Sequence, residues 1–312
     1  MTAALTSPIE LVLHPRHGPG LDEALREVDG IDLVAPHTHK ETVEIMQDGA
    51  KALITFDWDD AFLTPDLRWV QAISAGVDQF PTESLIDNGV VLTSARGVHT
   101  SSVAEHALAL FLALVRRLAP AIRRAEQREW APEIGTEIGG MTVTILGMGS
   151  IGSQIARLLQ PFGASVIGVT RTAKTSDLAR EVVGPDGLIS ACLRSDALIC
   201  ALPETEDTIA LVGSAELEAL GEGWLINVGR GSSVDEDALT RALRDGDLIG
   251  AGLDVTTVEP LPDESPLWEL EDLIITPHMG WATNHLTPRL AELVSRNLGA
   301  HRGEREWVNR VL

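Results

Sequence analysis

The chain has 312 residues, 44% of them hydrophobic, and a formal net charge of −22 from 46 acidic against 24 basic residues. That length supports one large or two medium domains with real cores, and the charge leaves no basic footprint for nucleic acid or for an anionic membrane surface. Only three of the bases are lysines, Lys40, Lys51 and Lys174; so large an acid excess suits a protein kept soluble in concentrated salt, a halophile's, where screening relaxes self-repulsion, with an acidic protein of an ordinary-salt organism as the alternative.

At the N-terminus no basic stretch leads into a long apolar run, so no signal peptide is expected. Apolar runs at 9–15, 31–36, 52–56, 68–74 and 90–94 read as strands, with helical patterns at 21–28 and 41–49 between them. Strands alternating with helices predict a parallel sheet covered on both faces. A helical tract follows over 101–130, capped by Ser101 or Ser102 and broken or kinked at Pro120. Its apolar run, 107–115, is too short to span a bilayer and reads as a buried helix. The alternation then restarts at 141–146, 164–170, 197–202, 224–228, 250–255 and 273–276, six strand candidates for a doubly wound sheet, and 286–304 is helical. Cys192 and Cys200 lie in apolar surroundings and read as buried, reduced thiols of a cytoplasmic protein. His14, His17, His37 and His39 are spaced in pairs, but no acid or cysteine completes a metal set. They read as surface histidines, and no metal is expected.

The most specific local motif is LGMGSIGSQIARLL. Gly147, Gly149 and Gly152 form G-x-G-x-x-G between a strand and a helix, with Met148, Ser150 and Ile151 inside the turn. Gly147 permits the tight turn, Gly149 lets backbone approach a pyrophosphate, and Gly152 allows close helix–strand packing. The helix N-terminus adds free N–H groups and a partial positive charge. Roughly 20 residues on, an acid normally takes the ribose 2′-hydroxyl of NAD. Here that place holds Thr170 and Arg171, with Lys174 nearby. A guanidinium attracts a 2′-phosphate, so the expected cofactor is NADP(H), with NAD(H) as the weaker alternative.

Three later stretches place Arg230, Glu259 and His278 just after strand ends, the edge where such sheets bind ligands. With them the sequence resembles the D-isomer-specific 2-hydroxyacid dehydrogenases, a family that includes glyoxylate/hydroxypyruvate reductases. The resemblance covers most of the chain and rests on SAGVD (74–78), VAEHALAL (103–110), LGMGSIG, ALPETEDT (201–208), NVGRG (227–231), DVTTVEPLP (254–262) and TPH (276–278).

The resemblance implies two doubly wound parallel-sheet α/β domains. A Rossmann cofactor domain would span 99–285, and a smaller flavodoxin-like substrate domain would combine 1–98 with 286–312. Closure of a cleft between them would exclude water. His278 would be the general acid, Glu259 would orient it, and Arg230 would bind the substrate carboxylate and polarise the carbonyl. Ala75, Gly76 and Val77 would hold that carboxylate through backbone N–H groups. Asp254 would receive the nicotinamide carboxamide, with Leu202, Pro203, Thr208, Val228, Gly229 and Gly280 also on the cofactor. Trp58 and Trp281 would shape the substrate mouth. The long helix would serve a homodimer. Thr257 stands where many relatives carry an acid, while Glu259 keeps the catalytic one. The implied activity is reduction of a 2-ketoacid. A relative acting on another small acid, formate or phosphite, and a nucleotide-sensing binding protein without turnover are the alternatives.

Overall fold

The first alternating stretch forms β1 (Ile9–Leu13), α1 (Leu21–Arg26), β2 (Ile31–Val34), α2 (His39–Gln47), β3 (Ala52–Thr55), β4 (Trp69–Ala72), α3 (Thr82–Asp87) and β5 (Val91–Thr93) in the computed structural model, which describes residues 8–171 and 176–312. Next come α4 (Thr100–Val115), α5 (Leu118–Glu126), β6 (Thr142–Leu146), α6 (Ser150–Leu159), β7 (Ser165–Val169) and β8 (Glu181–Val183). The chain continues through α7 (Leu188–Cys192), β9 (Ala197–Cys200), α8 (Ser214–Leu220), β10 (Trp224–Asn227), α9 (Glu236–Asp245), β11 (Gly250–Leu253), β12 (Leu273–Ile275) and α10 (Leu286–His301). It divides into two units, Met1–His99 with Thr283–Leu312, and Thr100–Ala282.

The first unit holds a five-stranded sheet in the order β2-β1-β3-β4-β5, with every pair parallel. Its strands are mostly apolar because both faces are covered, with Glu10 and Asp32 exposed on the edge pair β1 and β2. In β1, Leu11 and Leu13 pack with Leu21 and Leu25 of α1 and with Leu290 and Val294 of α10, while Val12 points the other way, toward Met46 of α2 and Leu85 of α3. β3 repeats this period of two: Ala52 and Ile54 face the first cluster and Leu53 the second.

The second unit holds a seven-stranded parallel sheet, β12-β11-β10-β9-β6-β7-β8. On one face α4 and α6 cover Val143, Ile145, Ala197, Ile199 and Ile226; on the other lie Leu146, Leu198, Leu225 and Leu253. α4 sits close because β11 offers glycine: a Cβ on Gly252 would come within 3.1 Å of the Leu110 Cβ. Burial of Leu110, Phe111 and Leu114 anchors α4 with ~1.5–3 kcal/mol for each large side chain. Both cysteines are buried and free. Burial pushes the Cys192 thiol up to about 12 and the Cys200 thiol higher still, so neither is a nucleophile at neutral pH.

Four expectations are corrected. The helical tract from 101 breaks before Pro120, at Arg117, which takes a left-handed φ of 56°. Pro120 lies in the first turn of α5, where a missing N–H costs no hydrogen bond. The second sheet has a seventh strand, β8; all three of its residues are only half-buried at the sheet's edge, so no apolar run announced it. α3 carries a single buried residue, Leu85, too few to show a helical period. His14 is a core residue at 4% exposure, not a surface one, and an acid does join the histidines: His14 Nε2 lies 3.1 Å from His39 Nδ1, and His39 Nε2 lies 2.8 Å from Asp59 Oδ2. Sequence spacing hid this because Asp59 arrives from the loop after β3. Among the described residues no helix is long and apolar enough to cross a membrane.

Candidate active site

The glycine turn follows β6 and opens α6. Gly147 has a φ of 100°, and a Cβ there would meet the Ala201 carbonyl at 2.7 Å; on Gly152 it would meet the Gly147 carbonyl at 1.9 Å. Neither place accepts a side chain. Gly149 differs: nothing stands within 4 Å of its hypothetical Cβ. A side chain would fill that space, directly over the N-terminus of α6, whose N-cap residue Gly149 makes no side-chain hydrogen bond. Free first-turn N–H groups beside an open cradle fit a pyrophosphate. Met148 folds back on β7, where a Cβ on Gly168 would touch its Cγ at 2.7 Å, and Ile151 packs on the core, so the turn is fixed without a ligand. Ser150 is exposed at the first helical position.

Thr170 and Arg171 follow the end of β7, on the same sheet edge. Thr170 N–H donates to the Val183 carbonyl at 3.1 Å, and Arg171 Nη1 lies 3.1 Å from Asp207 Oδ2. Lys174 falls outside the described residues. After β9 the chain turns through Leu202 and Pro203; the Thr208 hydroxyl donates to the Pro203 carbonyl at 2.9 Å and closes that loop. Val228 is buried, and Gly229 lies against Leu202, where a Cβ would approach its backbone N to 2.7 Å.

His278 and Glu259 meet. Imidazole Nδ1 is 2.7 Å from Glu259 Oε2, while Glu259 Oε1 accepts from the Thr256 N–H at 3.1 Å. A carboxylate on Nδ1 fixes that nitrogen as the donor and leaves Nε2 for a substrate. His278 has a φ of 48°, uncommon for a residue with a Cβ. Its N–H holds that turn by donating to the Asp254 carbonyl at 2.8 Å. Strain of this kind, of order 1–3 kcal/mol, persists where surrounding bonds over-determine the backbone. Arg230 follows β10, its Nη1 donating to the Gly229 carbonyl at 2.9 Å. Its loop lies against the loop leading to Glu259: a Cβ on Gly231 would sit 1.9 Å from the Thr256 carbonyl carbon. Thr257, exposed, has its N–H on Glu236 Oε1 at 2.6 Å.

Asp254 is 3% exposed and accepts hydrogen bonds on both oxygens. Oδ1 accepts from the Thr276 hydroxyl at 2.6 Å and the Met279 N–H at 2.9 Å; Oδ2 accepts from the Gly280 N–H at 2.9 Å. Burial raises its pKa, but hydrogen bonds from His106, Thr276, Gly280 and Met279 outweigh it and hold the carboxyl below its ordinary value. Gly280 makes room for this: a Cβ there would come within 2.8 Å of Asp254 Oδ2. His106 was missed in the sequence. It stands on α4 with Nε2 3.1 Å from Asp254 Oδ1 and 2.9 Å from Thr276 Oγ1. The available signal was a titratable residue inside the otherwise apolar run AEHALALFLAL.

In the first unit, Ala75, Gly76 and Val77 are half-buried in the loop after β4. Ser74 Oγ donates to the Gly76 carbonyl at 2.6 Å, and Gln79 Nε2 reaches both Ser74 Oγ at 3.2 Å and the Phe56 carbonyl at 2.8 Å. Gln79 thus ties this loop to the one carrying Trp58, and Trp58 and Val77 pack on the same apolar cluster. Trp281, in the second unit, is 42% exposed. Among the described residues no group of three or more His, Cys, Asp or Glu could hold a metal ion.

Residues 108–280 match the family model of the D-isomer specific 2-hydroxyacid dehydrogenase NAD binding domain. A glyoxylate/hydroxypyruvate reductase B of Yersinia pestis is 35% identical over 283 residues, 87% of this chain and 86% of that protein. The crystal structure of an NADPH-dependent glyoxylate/hydroxypyruvate reductase from Sinorhizobium meliloti, in complex with NADP and malonate, superposes with a TM-score of 0.83 at 31% identity, covering 98% of this chain and 97% of that one. The D-lactate dehydrogenase of Aquifex aeolicus, complexed with NAD and lactic acid, gives a TM-score of 0.81 at 26% identity over 96% of this chain and 98% of that one. The glycine turn, the His278–Glu259 pair and these likenesses agree, and the chain belongs to the D-isomer-specific 2-hydroxyacid dehydrogenase family.

Proposed function

We propose that the protein is a nicotinamide-dependent oxidoreductase that reduces a 2-ketoacid to a D-2-hydroxyacid, prefers NADP(H), and works as a cytoplasmic homodimer. The observation that carries the reading is the His278–Glu259 pair at 2.7 Å, on the sheet edge that also bears the glycine turn. A bound nicotinamide supplies the hydride. The backbone over Gly147–Gly152 would hold the pyrophosphate, and Asp254 with Gly280 the nicotinamide side. Arg230 binds the carboxylate and draws charge onto the carbonyl oxygen. His278, with Nδ1–H on Glu259, delivers a proton from Nε2 to that oxygen, and Glu259 steadies the imidazolium before transfer. By the family resemblance, Ala75, Gly76 and Val77 would offer backbone N–H groups to a substrate carboxylate, and Trp58 and Trp281 would bear on the size of substrate accepted. Glyoxylate and hydroxypyruvate, named for the relatives, are the first substrates to try.

The NADP(H) preference is supported by Arg171 at the 2′ position and by the absence of an acid at 170 or 171. One observation favours NAD(H) instead: Asp207, 3.1 Å from Arg171, brings a carboxylate to the place where a ribose hydroxyl would seek one. The dimer is supported by α5, which buries no residue, and by Trp130 and Ile134, each 99% exposed; Leu118 and Ile122 add a further apolar stripe one turn apart. So much apolar surface calls for a cover, and a second copy supplies one. The two free, un-ionised thiols suit a reducing compartment. Initial rates of NADPH and NADH consumption over a panel of 2-ketoacids test the reading. Absence of turnover with any of them, cofactor still bound, would overturn it.

A further inference from the structure

The histidine pair of the first unit lies where its sheet changes direction. In the order β2-β1-β3-β4-β5 the chain winds outward from β1 and β3, and ligands of such sheets bind beyond the strand ends at that point. His14 follows β1, His39 opens α2, and Asp59 lies in the loop after β3. Arg16 N–H donates to His14 Nδ1 at 3.2 Å, so that nitrogen carries no proton. His14 Nε2–H therefore donates to His39 Nδ1, and His39 Nε2–H to Asp59 Oδ2. Asp59 Oδ1 accepts from the Ala61 N–H at 2.8 Å and so pins the loop itself. Every position in this chain is filled with both rings neutral. A proton added to either ring sets two N–H groups face to face, at Arg16 or between the rings, and one bond is lost.

The loop it holds carries Trp58. Both histidine rings contact Phe62, at 5.9 and 5.4 Å between centroids, and Trp58 stands edge-on to Phe62 at 5.9 Å. The Trp58 indole donates to Asp60 Oδ1 at 3.0 Å. We propose that His14, His39 and Asp59 form a positioning relay that sets the Trp58 loop for substrate. The relay itself stands on this geometry; its effect on substrate rests on the reductase reading.

The surrounding charges are few. Arg16 is engaged by both oxygens of Asp57 at 3.1 Å, and His17 Nδ1 by the Gly18 carbonyl. From α2, Lys40 pairs with Glu44 at 3.6 Å and Glu41 accepts from the His37 N–H. None of these reaches between the two rings. Burial lowers the His14 pKa from 6.5, with Asp57 opposing it and His39, Arg16 and His17 assisting. Asp59 is lowered by the Ala61 N–H and by His39. A folded-state histidine pKa below the unfolded one means that the unfolded chain takes up the proton first. The contribution of neutral His14 is complete above pH 6.5 and declines as pH falls below it.

The test uses the whole protein labelled with 5-fluorotryptophan, the Trp58 resonance being assigned by its loss in Trp58→Phe. Fluorine spectra are recorded at about pH 8, where a histidine with the ordinary pKa of about 6.5 is neutral. In His39→Gln the Trp58 signal should keep its parent position, because the amide oxygen can accept from His14 and its nitrogen donate to Asp59. His39→Ala should move it, with the 2-ketoacid KM raised about fivefold, the equivalent of one net hydrogen bond, and kcat unchanged. A Trp58 signal unmoved in His39→Ala, or moved equally in His39→Gln, overturns the relay. An unchanged KM in His39→Ala overturns its role toward substrate. The fluorine measurement needs no turnover, so an inactive protein would defeat the reductase reading while the spectra still decide the relay.

Discussion

Replacing Arg171 with alanine should raise the KM for NADPH far more than that for NADH. In the structure the guanidinium spends one donor on Asp207 at 3.1 Å, and the two side chains are 65% and 73% exposed. An exposed ion pair of this kind contributes ~0.2–1 kcal/mol. A hydrogen bond to a charged phosphate is worth ~1.5–3 kcal/mol, less what is lost by leaving Asp207 and by screening. The net is ~1–2 kcal/mol, about a 5- to 30-fold change in KM. Asp207→Asn should act in the opposite direction, freeing Arg171 and lowering the NADPH KM by about 2- to 5-fold. The assay is initial rate against cofactor concentration, for NADPH and NADH in parallel at saturating ketoacid, with the double variant completing the cycle. Equal effects of Arg171→Ala on both cofactors would refute the assignment. A rise in the NADH KM in Asp207→Asn, with NADPH indifferent to Arg171→Ala, would instead make Asp207 the ribose acceptor and NAD(H) the cofactor.

His278→Ala should lower kcat by about 10²–10⁴-fold, the usual worth of a positioned general acid, with cofactor binding intact by fluorescence titration; normal turnover would remove His278 from the proton transfer. Gly231→Ala must push the Arg230 loop off Thr256, the added Cβ standing 1.9 Å from its carbonyl carbon, and should cost ~1–3 kcal/mol in denaturant unfolding; an unshifted midpoint would contradict the packing described. Trp130→Asp with Ile134→Asp should convert dimers to monomers in sedimentation velocity, and a dimer that survives would place the interface elsewhere. If the acid excess reflects a salt-rich habitat, activity should persist or rise in molar salt, and irreversible loss there would end that reading.

The strand pattern was legible because both sheets are covered on both faces, so most of their strands are short and predominantly apolar, such as ALIT and ALIC. The elements that escaped lacked that signal: β8 is an edge strand with no fully buried residue, and α3 buries only Leu85. Pro120 misled because its effect depends on position. In a first turn it is tolerated, and the break was made instead by Arg117, whose left-handed backbone no sequence pattern marks. Gly147, Gly149, Gly152, Arg230, Glu259 and His278 could be named in advance because each lies in a family motif within a few residues of a strand end, the edge where such sheets bind ligands.

Pairings across long loops were a different matter. The sequence by itself determined the doubly wound α/β architecture and placed the glycine turn, Arg230, Glu259 and His278 after strand ends, since these follow from local periodicity and local motif; the roles proposed for them came from the family resemblance. Tertiary structure alone decided that Asp207 meets Arg171, that His106 reaches Asp254 from a helix 148 positions upstream, and that His14 is buried against His39 and Asp59. The reason is physical: a hydrogen bond or ion pair is fixed by a few ångströms of separation in space, and separation along the chain carries almost no information about it once the sheet has brought its strand ends together.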